Sequence, residues 1–168
     1  MDERITGLVI RLGDDVDTDQ IYPGRYLQIV EPGEIVKHAL EGVDETLAGT
    51  IRPGDIVVAG RNFGGGSSRE QAVTSLKFAG VAAAVVVSAA RIFYRNAINR
   101  GLPIIQCPAV HDRVRTGDPI AVDFAAGKIE AAGRTFPFVP IPDFIMDILR
   151  DGGLVAHTKR ILARQAAG

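Results

Sequence analysis

The residues with the clearest potential for chemistry lie in one segment, residues 61–70, with the sequence Arg-Asn-Phe-Gly-Gly-Gly-Ser-Ser-Arg-Glu. We call this segment the glycine loop. Glycine allows positive φ and lets a ligand approach the backbone N–H groups closely. Arg69 stands where a helix is expected to begin, although the helix dipole disfavours a positive charge there by up to about 1 kcal/mol. An arginine in this position indicates that an anion is held nearby.

Two interpretations of the glycine loop stay open on spacing alone. Ser67 followed three residues later by Glu70 matches a capping box, which many helices use at their N-terminus. The same residues also fit an anion site at a helix N-terminus. Two phosphate-binding motifs are excluded, because a Walker A loop ends in Gly-Lys-Ser/Thr and a dinucleotide fingerprint requires a small residue where Arg69 stands.

The glycine loop is expected to connect a strand to a helix. Residues 55–60 form a short apolar, β-branched run, and residues 71–78 place Ala72 and Leu76 at helical spacing. Similar patterns predict strands at residues 5–12, 82–88 and 102–107, and helices at residues 34–40 and 90–100. Alternation of strands and helices indicates a parallel sheet with right-handed crossovers.

The pattern changes after Pro108. Short strands separated by turns are predicted at residues 119–124, 128–132 and 135–139, followed by helices at residues 144–149 and 154–163. Neither an internal repeat nor a linker divides the chain. We therefore expect an α/β fold in a single domain, residues 1–168, with a mainly parallel sheet, flanking helices and a β-meander.

Composition and charge argue against several classes of protein. The 168 residues are 46% hydrophobic and carry a formal net charge of -1, so nothing indicates binding to nucleic acid or to an anionic membrane. The single cysteine, Cys107, excludes an internal disulfide and any all-cysteine cluster held by this chain alone. The three histidines lie far apart, without the spacing of metal ligands. The acidic start of the chain differs from a signal peptide and predicts a cytoplasmic location.

A second polar segment, residues 13–25, is too long and too acidic for a simple connection, and we call it the acidic loop. An EF-hand that begins at Asp15 is excluded, because Gln20 and Tyr26 stand where glycine and glutamate are required. Four carboxylates within six residues repel one another, so we expect one of them to face a basic partner. The candidates for that partner are Arg61, Arg69 and Arg95.

Several motifs together resemble the small subunits of 3-isopropylmalate dehydratases, which are swivel domains of the aconitase superfamily made as separate chains. The resemblance covers residues 5–160, and its most specific part is Gly-Ser-Ser-Arg-Glu at residues 66–70 with Asp-Thr-Asp-Gln at residues 17–20. The other matching segments are residues 21, 26–27, 92–96, 101–103 and 152–154.

The resemblance implies a swivelling β/β/α domain that closes over a large subunit. The implied cofactor is a [4Fe-4S] cluster held by the large subunit and not by this chain, and the two subunits would form a heterodimer or heterotetramer. The implied reaction removes water from a 2-hydroxy acid and adds it back with the hydroxyl on the neighbouring carbon, with iron acting as Lewis acid on the departing hydroxyl. This chain would be active only with the large subunit.

The resemblance also assigns roles to individual residues. Ser67 matches the serine that takes a proton from carbon, and an alkoxide there would require the loop N–H groups, the helix N-terminus and Arg69 to stabilise it. The candidate substrate-binding residues are Ser68, Arg69, Gly65 and Gly66. The candidate active-site loop comprises Asp17, Thr18 and Asp19. No metal ligand is assigned to this chain.

A candidate specificity loop comprises Tyr26, Leu27, Gln28, Ile29 and Val30. In aconitase and homoaconitase, an arginine shortly after the matching aromatic-leucine pair reads the extra carboxylate of the substrate. Here no arginine follows before Pro32, and a buried carboxylate without a cationic partner is costly. The loop therefore favours the isomerisation of 2-isopropylmalate and 3-isopropylmalate, a step of leucine biosynthesis, with dimethylmalate, citramalate/citraconate or homoaconitate as alternative substrates.

Two rival functions come from other classes. One is a non-catalytic regulatory swivel domain that binds a small anion on the glycine loop. The other is an independent phosphate-binding enzyme, which the missing lysine and metal ligands disfavour.

Overall fold

A computed structural model describes all 168 residues, and its main feature is one seven-stranded mixed sheet. The strand order is β4-β3-β2-β1-β5-β6-β7. The strands are β1 (Arg4–Arg11), β2 (Ile56–Ala59), β3 (Ala83–Val86), β4 (Ile104–Gln106), β5 (Pro119–Asp123), β6 (Lys128–Ala131) and β7 (Arg134–Pro137).

The first half of the sheet is parallel. β1 pairs with β2, β2 with β3 and β3 with β4, with registers that include Val9 opposite Ile56 and Val58 opposite Val85. Every residue of β2 and β3 is buried, as expected for apolar strands covered on both faces. The crossover connections between these strands carry helices, which confirms the alternating pattern predicted from the sequence.

The second half of the sheet is antiparallel. β5 pairs with β1, and β6 and β7 follow as a meander through a tight turn at Ala132 and Gly133, both at positive φ. The sheet therefore contains as many antiparallel pairs as parallel ones. The sequence predicted the meander but not that its first strand would join the free edge of β1.

Seven helices accompany the sheet. They are α1 (Thr18–Ile21), α2 (Pro32–Ile35), α3 (Glu70–Phe78), α4 (Arg91–Arg100), α5 (Pro108–His111), α6 (Asp143–Arg150) and α7 (Leu154–Ala167). None of them is long and apolar enough to span a membrane.

Alternate residues of the parallel strands belong to two separate hydrophobic cores. Val57 and Val86 face the core that also contains Leu76 of α3. Val58 and Val85 face the other core, which includes residues of α6 and of the meander. Residues of β2 and of the distant β6 share this second core, which requires the sheet to curl back over its own face.

Some element boundaries differ from those expected. The acidic loop contains α1 and a 3-10 turn at Gly24–Tyr26, and the helix expected at residues 34–40 is divided into α2 and a 3-10 turn at Val36–His38. The short helix α5 was not predicted, because Pro108 reads as a break although proline is well accepted in the first turn of a helix.

Close packing against α4 determines the shape of the glycine loop. Gly64 has φ +79°, and a Cβ there would lie 2.1 Å from Cγ of Phe93. Phe93 is buried and makes an edge-to-face contact with Phe63, with the ring centroids 5.1 Å apart. Only glycine satisfies both the backbone conformation and this contact.

We predict that Gly64→Ala lowers the free energy of unfolding by about 2–4 kcal/mol, from left-handed strain and overpacking together. Gly133→Ala is the matched control, since Gly133 also has positive φ (+68°) but a Cβ added there would have no atom within 4 Å. The control should lose only about 1–2 kcal/mol. Denaturant unfolding of both variants measures the difference, and equal losses would contradict the role of Phe93.

Candidate functional site

The acidic loop and the glycine loop meet where β1 and β2 end. Because these strands are parallel, their carboxyl ends lie at the same edge of the sheet, where α/β proteins place their sites. Backbone hydrogen bonds join the two loops, from Gly64 N to Val16 O (2.8 Å) and from Thr18 N to Gly65 O (2.9 Å). The two segments selected from the sequence are therefore one structural unit.

The carboxylates of the acidic loop each have their own donor. Asp14 Oδ1 accepts from the backbone N of Arg61 (2.7 Å), and Asp15 Oδ1 accepts from the side-chain amide of Asn62 (3.2 Å). Asp17 accepts from Gln20 N (2.8 Å) and caps α1, and the Gln20 side chain accepts from Asp17 N in return. These donors offset the repulsion expected among the carboxylates.

Asp19 is the carboxylate that faces a basic side chain, and Arg69 is its partner. Arg69 Nη1 lies 2.5 Å from Asp19 Oδ1, which also accepts from Gly24 N (2.8 Å). The guanidinium of Arg69 and the N–H of Gly24 together hold the pKa of Asp19 below its usual range. Of the three candidate arginines, Arg61 offers its backbone instead, and Arg95 makes no ion pair.

The anion expected beside Arg69 is thus Asp19 of the same chain. Arg69 is the N-cap of α3, in an extended conformation with φ -102° and ψ 108°, and its side chain is 23% exposed. Asp19, together with Glu70 in the first turn of α3, supplies the negative charge that the start of a helix favours.

The capping-box interpretation of Ser67 is wrong. α3 begins at Glu70, so Ser67 lies two residues before the N-cap, and no side chain caps this helix. A tight turn, in which Arg69 N donates to Ser67 O (2.9 Å), moves the serine away from the helix axis. Glu70 instead pairs with Arg100 at 2.5 Å.

Ser67 is exposed, and its hydroxyl has one polar neighbour. Thr18 Oγ1 lies 3.5 Å from Ser67 Oγ and donates to Ser67 O at 3.0 Å. Thr18 is 3% exposed, so its hydroxyl is fixed beneath the serine. The backbone N–H groups of Gly66, Ser67 and Ser68 donate to no acceptor in the protein, which leaves three donors at one turn for an external anion.

These residues line a cleft of about 220 Å³ between the glycine loop and the start of α4. From the predicted set it brings together Thr18, Gly66, Ser67, Ser68 and Arg69. From α4 it adds Arg91, Ile92, Phe93 and Asn96. Arg91 makes no ion pair, and sequence reasoning missed it because nothing in its spacing links α4 to the glycine loop.

Gly65 and the acidic residues lie behind the cleft and not on its surface. Gly65 is buried, and its carbonyl is occupied by Thr18 N. Asp17 pairs with Gly65 as an isolated bridge. These residues hold the cleft in shape.

The segment just before the specificity loop lies next to Arg69, and no residue of the specificity loop itself lines the cleft. Arg69 Nη1 donates to the carbonyl of Tyr22 at 3.5 Å, and a Cβ added at Gly24 would lie 3.1 Å from Arg69 Nη2. Tyr26, Leu27 and Ile29 pack partly buried against the core, whereas Gln28 and Val30 are exposed.

No group of three or more His, Cys, Asp or Glu side chains is arranged to hold a metal ion. Cys107 is buried, and its thiol faces the carbonyl of Pro137 at 3.7 Å, far along the chain from the glycine loop. Burial raises the pKa of this thiol, which disfavours the thiolate that an iron-sulfur cluster requires. The residues of this chain do not fit a [4Fe-4S] cluster.

Comparison with known proteins now identifies the family. Residues 50–109 match the model of the aconitase C-terminal domain. The 3-isopropylmalate dehydratase small subunit of Moorella thermoacetica is 46% identical over 158 residues, which are 93% of this chain and 95% of the relative. The chain belongs to the family of 3-isopropylmalate dehydratase small subunits.

A solved structure agrees with this assignment. The crystal structure of 3-isopropylmalate dehydratase from Methanocaldococcus jannaschii superposes with a TM-score of 0.91 at 41% identity, covering 98% of this chain and 99% of that one. Another similar relative carries a different enzyme name. The methanogen homoaconitase small subunit of Methanothermobacter thermautotrophicus is 50% identical over 94% of this chain and 92% of its own length.

We predict that Asp19→Asn lowers stability at neutral pH by less than about 1 kcal/mol, since the Asp19 side chain is 64% exposed and solvent screens the pair. The pKa of Asp19 is lower in the folded chain than in the unfolded chain. The contribution is therefore complete above the unfolded value of about 3.9 and is lost as the pH falls through the folded value.

Denaturant unfolding of the wild type and Asp19→Asn across pH 7 to 2 measures this effect, with Asp2→Asn as the control because Asp2 is exposed. The two curves should converge at the acid end. A difference that stays constant down to pH 2 would show that the ion pair is not its source.

Proposed function

We propose that this chain is the small subunit of an iron-sulfur hydro-lyase that interconverts 2-isopropylmalate and 3-isopropylmalate by dehydration and rehydration, with Ser67 as the base. The observation that carries the proposal is the position of Ser67. Its hydroxyl is exposed in a cleft beside three unused N–H groups and the guanidinium of Arg69. The names of the family members support the same reaction class.

A serine acts as a base only when its alkoxide is stabilised. The N–H groups of Gly66, Ser67 and Ser68, the N-terminus of α3 and the charge of Arg69 all contribute positive potential at this end of the cleft. Thr18 provides a further hydroxyl, whose oxygen lies 3.5 Å from Ser67 Oγ. Rotation of its O–H bond can redirect the proton from the Ser67 carbonyl to Ser67 Oγ. Exclusion of water would strengthen each of these contributions.

Arg69 and Ser68 bind a substrate carboxylate in this proposal. Asp19 occupies Nη1 of Arg69, and the other N–H groups of the guanidinium stay available to a carboxylate. Asp19 thereby acts as an orienting residue for Arg69. The mouth of the same cleft carries Arg91, whose charge has no protein partner and suits the second carboxylate of a malate.

The cluster and the partner are also proposals for this chain. Its side chains offer no ligand set for iron, so a [4Fe-4S] cluster would belong to a large subunit that completes the site. The assembly would be a heterodimer or heterotetramer, active only as a whole and located in the cytoplasm.

The absence of an arginine in the specificity loop supports an apolar substituent on the substrate. Arg25, the nearest arginine, has its guanidinium paired with Glu41 at 2.7 Å. Ile29 and Val30 offer an apolar surface that suits an isopropyl group better than an extra carboxylate.

Ser67→Ala should lower turnover by about 10²–10⁴-fold, the usual contribution of a general base, while association with the large subunit persists. Ser75→Ala is the matched control, because the Ser75 hydroxyl is buried on α3 and donates to Ala72 O. Steady-state assays and co-elution of the two subunits provide both measurements. Near-normal turnover of Ser67→Ala would remove Ser67 from the base role.

A regulatory domain that only binds an anion makes the opposite prediction. In that case the reconstituted pair would turn over 2-isopropylmalate equally well with either serine variant.

Val30→Arg should shift preference toward a tricarboxylate such as homoaconitate by providing a cation where the loop has none. Val30 is 85% exposed, and Val139 is 87% exposed, so Val139→Arg controls for added surface charge. The measurement is the ratio of kcat/KM for homoaconitate to kcat/KM for 2-isopropylmalate. Gln28→Arg is a second variant. An unchanged ratio in both would assign specificity to the large subunit.

A further inference from the structure

A cluster of four side chains lies outside the cleft, at the base of the specificity loop. Its centre is the carboxylate of Glu41. Oε1 of Glu41 accepts from Tyr26 Oη at 2.7 Å and from Arg25 Nη2 at 2.7 Å. Oε2 lies 2.5 Å from Nδ1 of His38. We call Arg25, Tyr26, His38 and Glu41 the Glu41 cluster.

The two aromatic rings of the cluster stack on each other, and a guanidinium lies near one of them. The ring of Tyr26 stacks on that of His38, with centroids 3.6 Å apart and planes inclined by 13°. The Arg25 guanidinium lies 4.7 Å from the Tyr26 centroid. The hydroxyl of fully buried Tyr22 donates to Tyr26 O at 3.0 Å. Tyr26 is thus fixed at its ring, its hydroxyl and its backbone.

The side chain of Glu41 is itself shielded from solvent. It is 13% exposed, against 52% for Glu34, which pairs with Lys37 on the surface. Three donors on a shielded carboxylate form a stronger set of contacts than an open surface pair.

The backbone around Glu41 is equally constrained. Leu40 is fully buried at φ +61°, and its N–H donates to Ile21 O at 2.7 Å. Gly42 lies so close to α1 that a Cβ there would be 2.5 Å from Cα of Gln20. Residues 40–42 therefore clamp α1, which carries Asp19, while Glu41 holds the specificity loop.

We infer that Glu41 is a positioning residue for substrate specificity, which fixes Tyr26 and through it presents residues 27–30 to the substituent of the substrate. The inference rests on the proposed function and deepens it. No residue of the Glu41 cluster lines the cleft, whose shape depends on separate contacts between the acidic and glycine loops. Loss of Glu41 should therefore change discrimination between substrates more than the chemistry at Ser67.

The test uses Glu41→Gln, which keeps the size of the side chain but loses its charge, in the subunit reconstituted with its large partner. Glu34→Gln is the matched control, because it removes the same charge from an exposed pair on the preceding helix α2. We measure kcat and KM for 2-isopropylmalate and for its methyl analogue, citramalate. The ratio of kcat/KM for 2-isopropylmalate to kcat/KM for citramalate should fall about tenfold in Glu41→Gln, chiefly because KM for 2-isopropylmalate rises. The same ratio should stay unchanged in Glu34→Gln.

Tyr26→Phe provides a second variant in case Glu41→Gln folds poorly. It removes the hydroxyl that reaches Glu41 and retains the ring that stacks on His38, so the ratio should change in the same direction by a smaller factor. Hydrogen exchange of the full chain supplies a readout independent of activity. Amides of residues 25–30 should exchange faster in Glu41→Gln, with those of the glycine loop unchanged.

Failure of the inference about Glu41 can be distinguished from failure of the proposed function. Equal losses on both substrates, with a wild-type pair that is active, would overturn the role of Glu41 and reduce the cluster to a stabilising contact. A wild-type pair that acts on neither substrate would overturn the proposed function itself.

Discussion

The hydrogen-bonded seam between the acidic loop and the glycine loop is the contact on which the rest of the site depends. It continues the pairing of β1 and β2 beyond the strands, through Gly60 N to Gly13 O (3.0 Å) and Asp15 N to Arg61 O (2.8 Å). These hydrogen bonds between the two loops pair backbone N–H and C=O groups that would otherwise have no partner. Thr18 reaches Ser67, and Asp19 reaches Arg69, only because this seam fixes the two segments side by side.

Each carboxylate of the acidic loop has at least one donor, and Asp19 has two. Three of the donors are backbone N–H groups, one is an amide side chain and one is a guanidinium. The carboxylates of the acidic loop, for which the sequence excluded an EF-hand, are thus satisfied by donors of the same chain, and these contacts order a segment with little regular structure. Arg69 is the only arginine of the cleft whose guanidinium takes part in this network. Of its nitrogens, only Nη1 contacts Asp19 Oδ1, at 2.5 Å.

The sequence predicted those parts of the fold that depend on local pattern. The runs at residues 5–12 and 55–60 formed strands, and Gly101 ended α4 in a left-handed conformation as helix stops often do. It could not predict which edge of the sheet the meander would join, because that depends on contacts between residues far apart in the chain, such as Ile5 and Val122. The single-domain assignment stays a prediction.

The sequence predicted some of the residues that line the cleft, but it missed Arg91 and did not predict how the residues contact one another. Ser67, Ser68 and Arg69 lie at one cleft, yet the capping box at Ser67 failed because the helix began at Glu70, a shift that spacing does not reveal. The pairing of Arg69 with Asp19 was one of three combinations that the sequence left open, and only tertiary geometry selects it. The catalytic and binding roles themselves stay predictions.

The central place of β1 has a consequence for how the chain is made. This strand precedes the other six in the sequence, and one of its edges pairs with β2, which aligns Val9 with Ile56. Its other edge pairs with β5, which aligns Ile5 with Val122 and is made after β2, β3 and β4. Until then the nascent chain carries an open strand edge, a surface that invites pairing with other chains. Although β1 lies in the middle of the finished sheet, one of its edges therefore stays unpaired until β5 has been made.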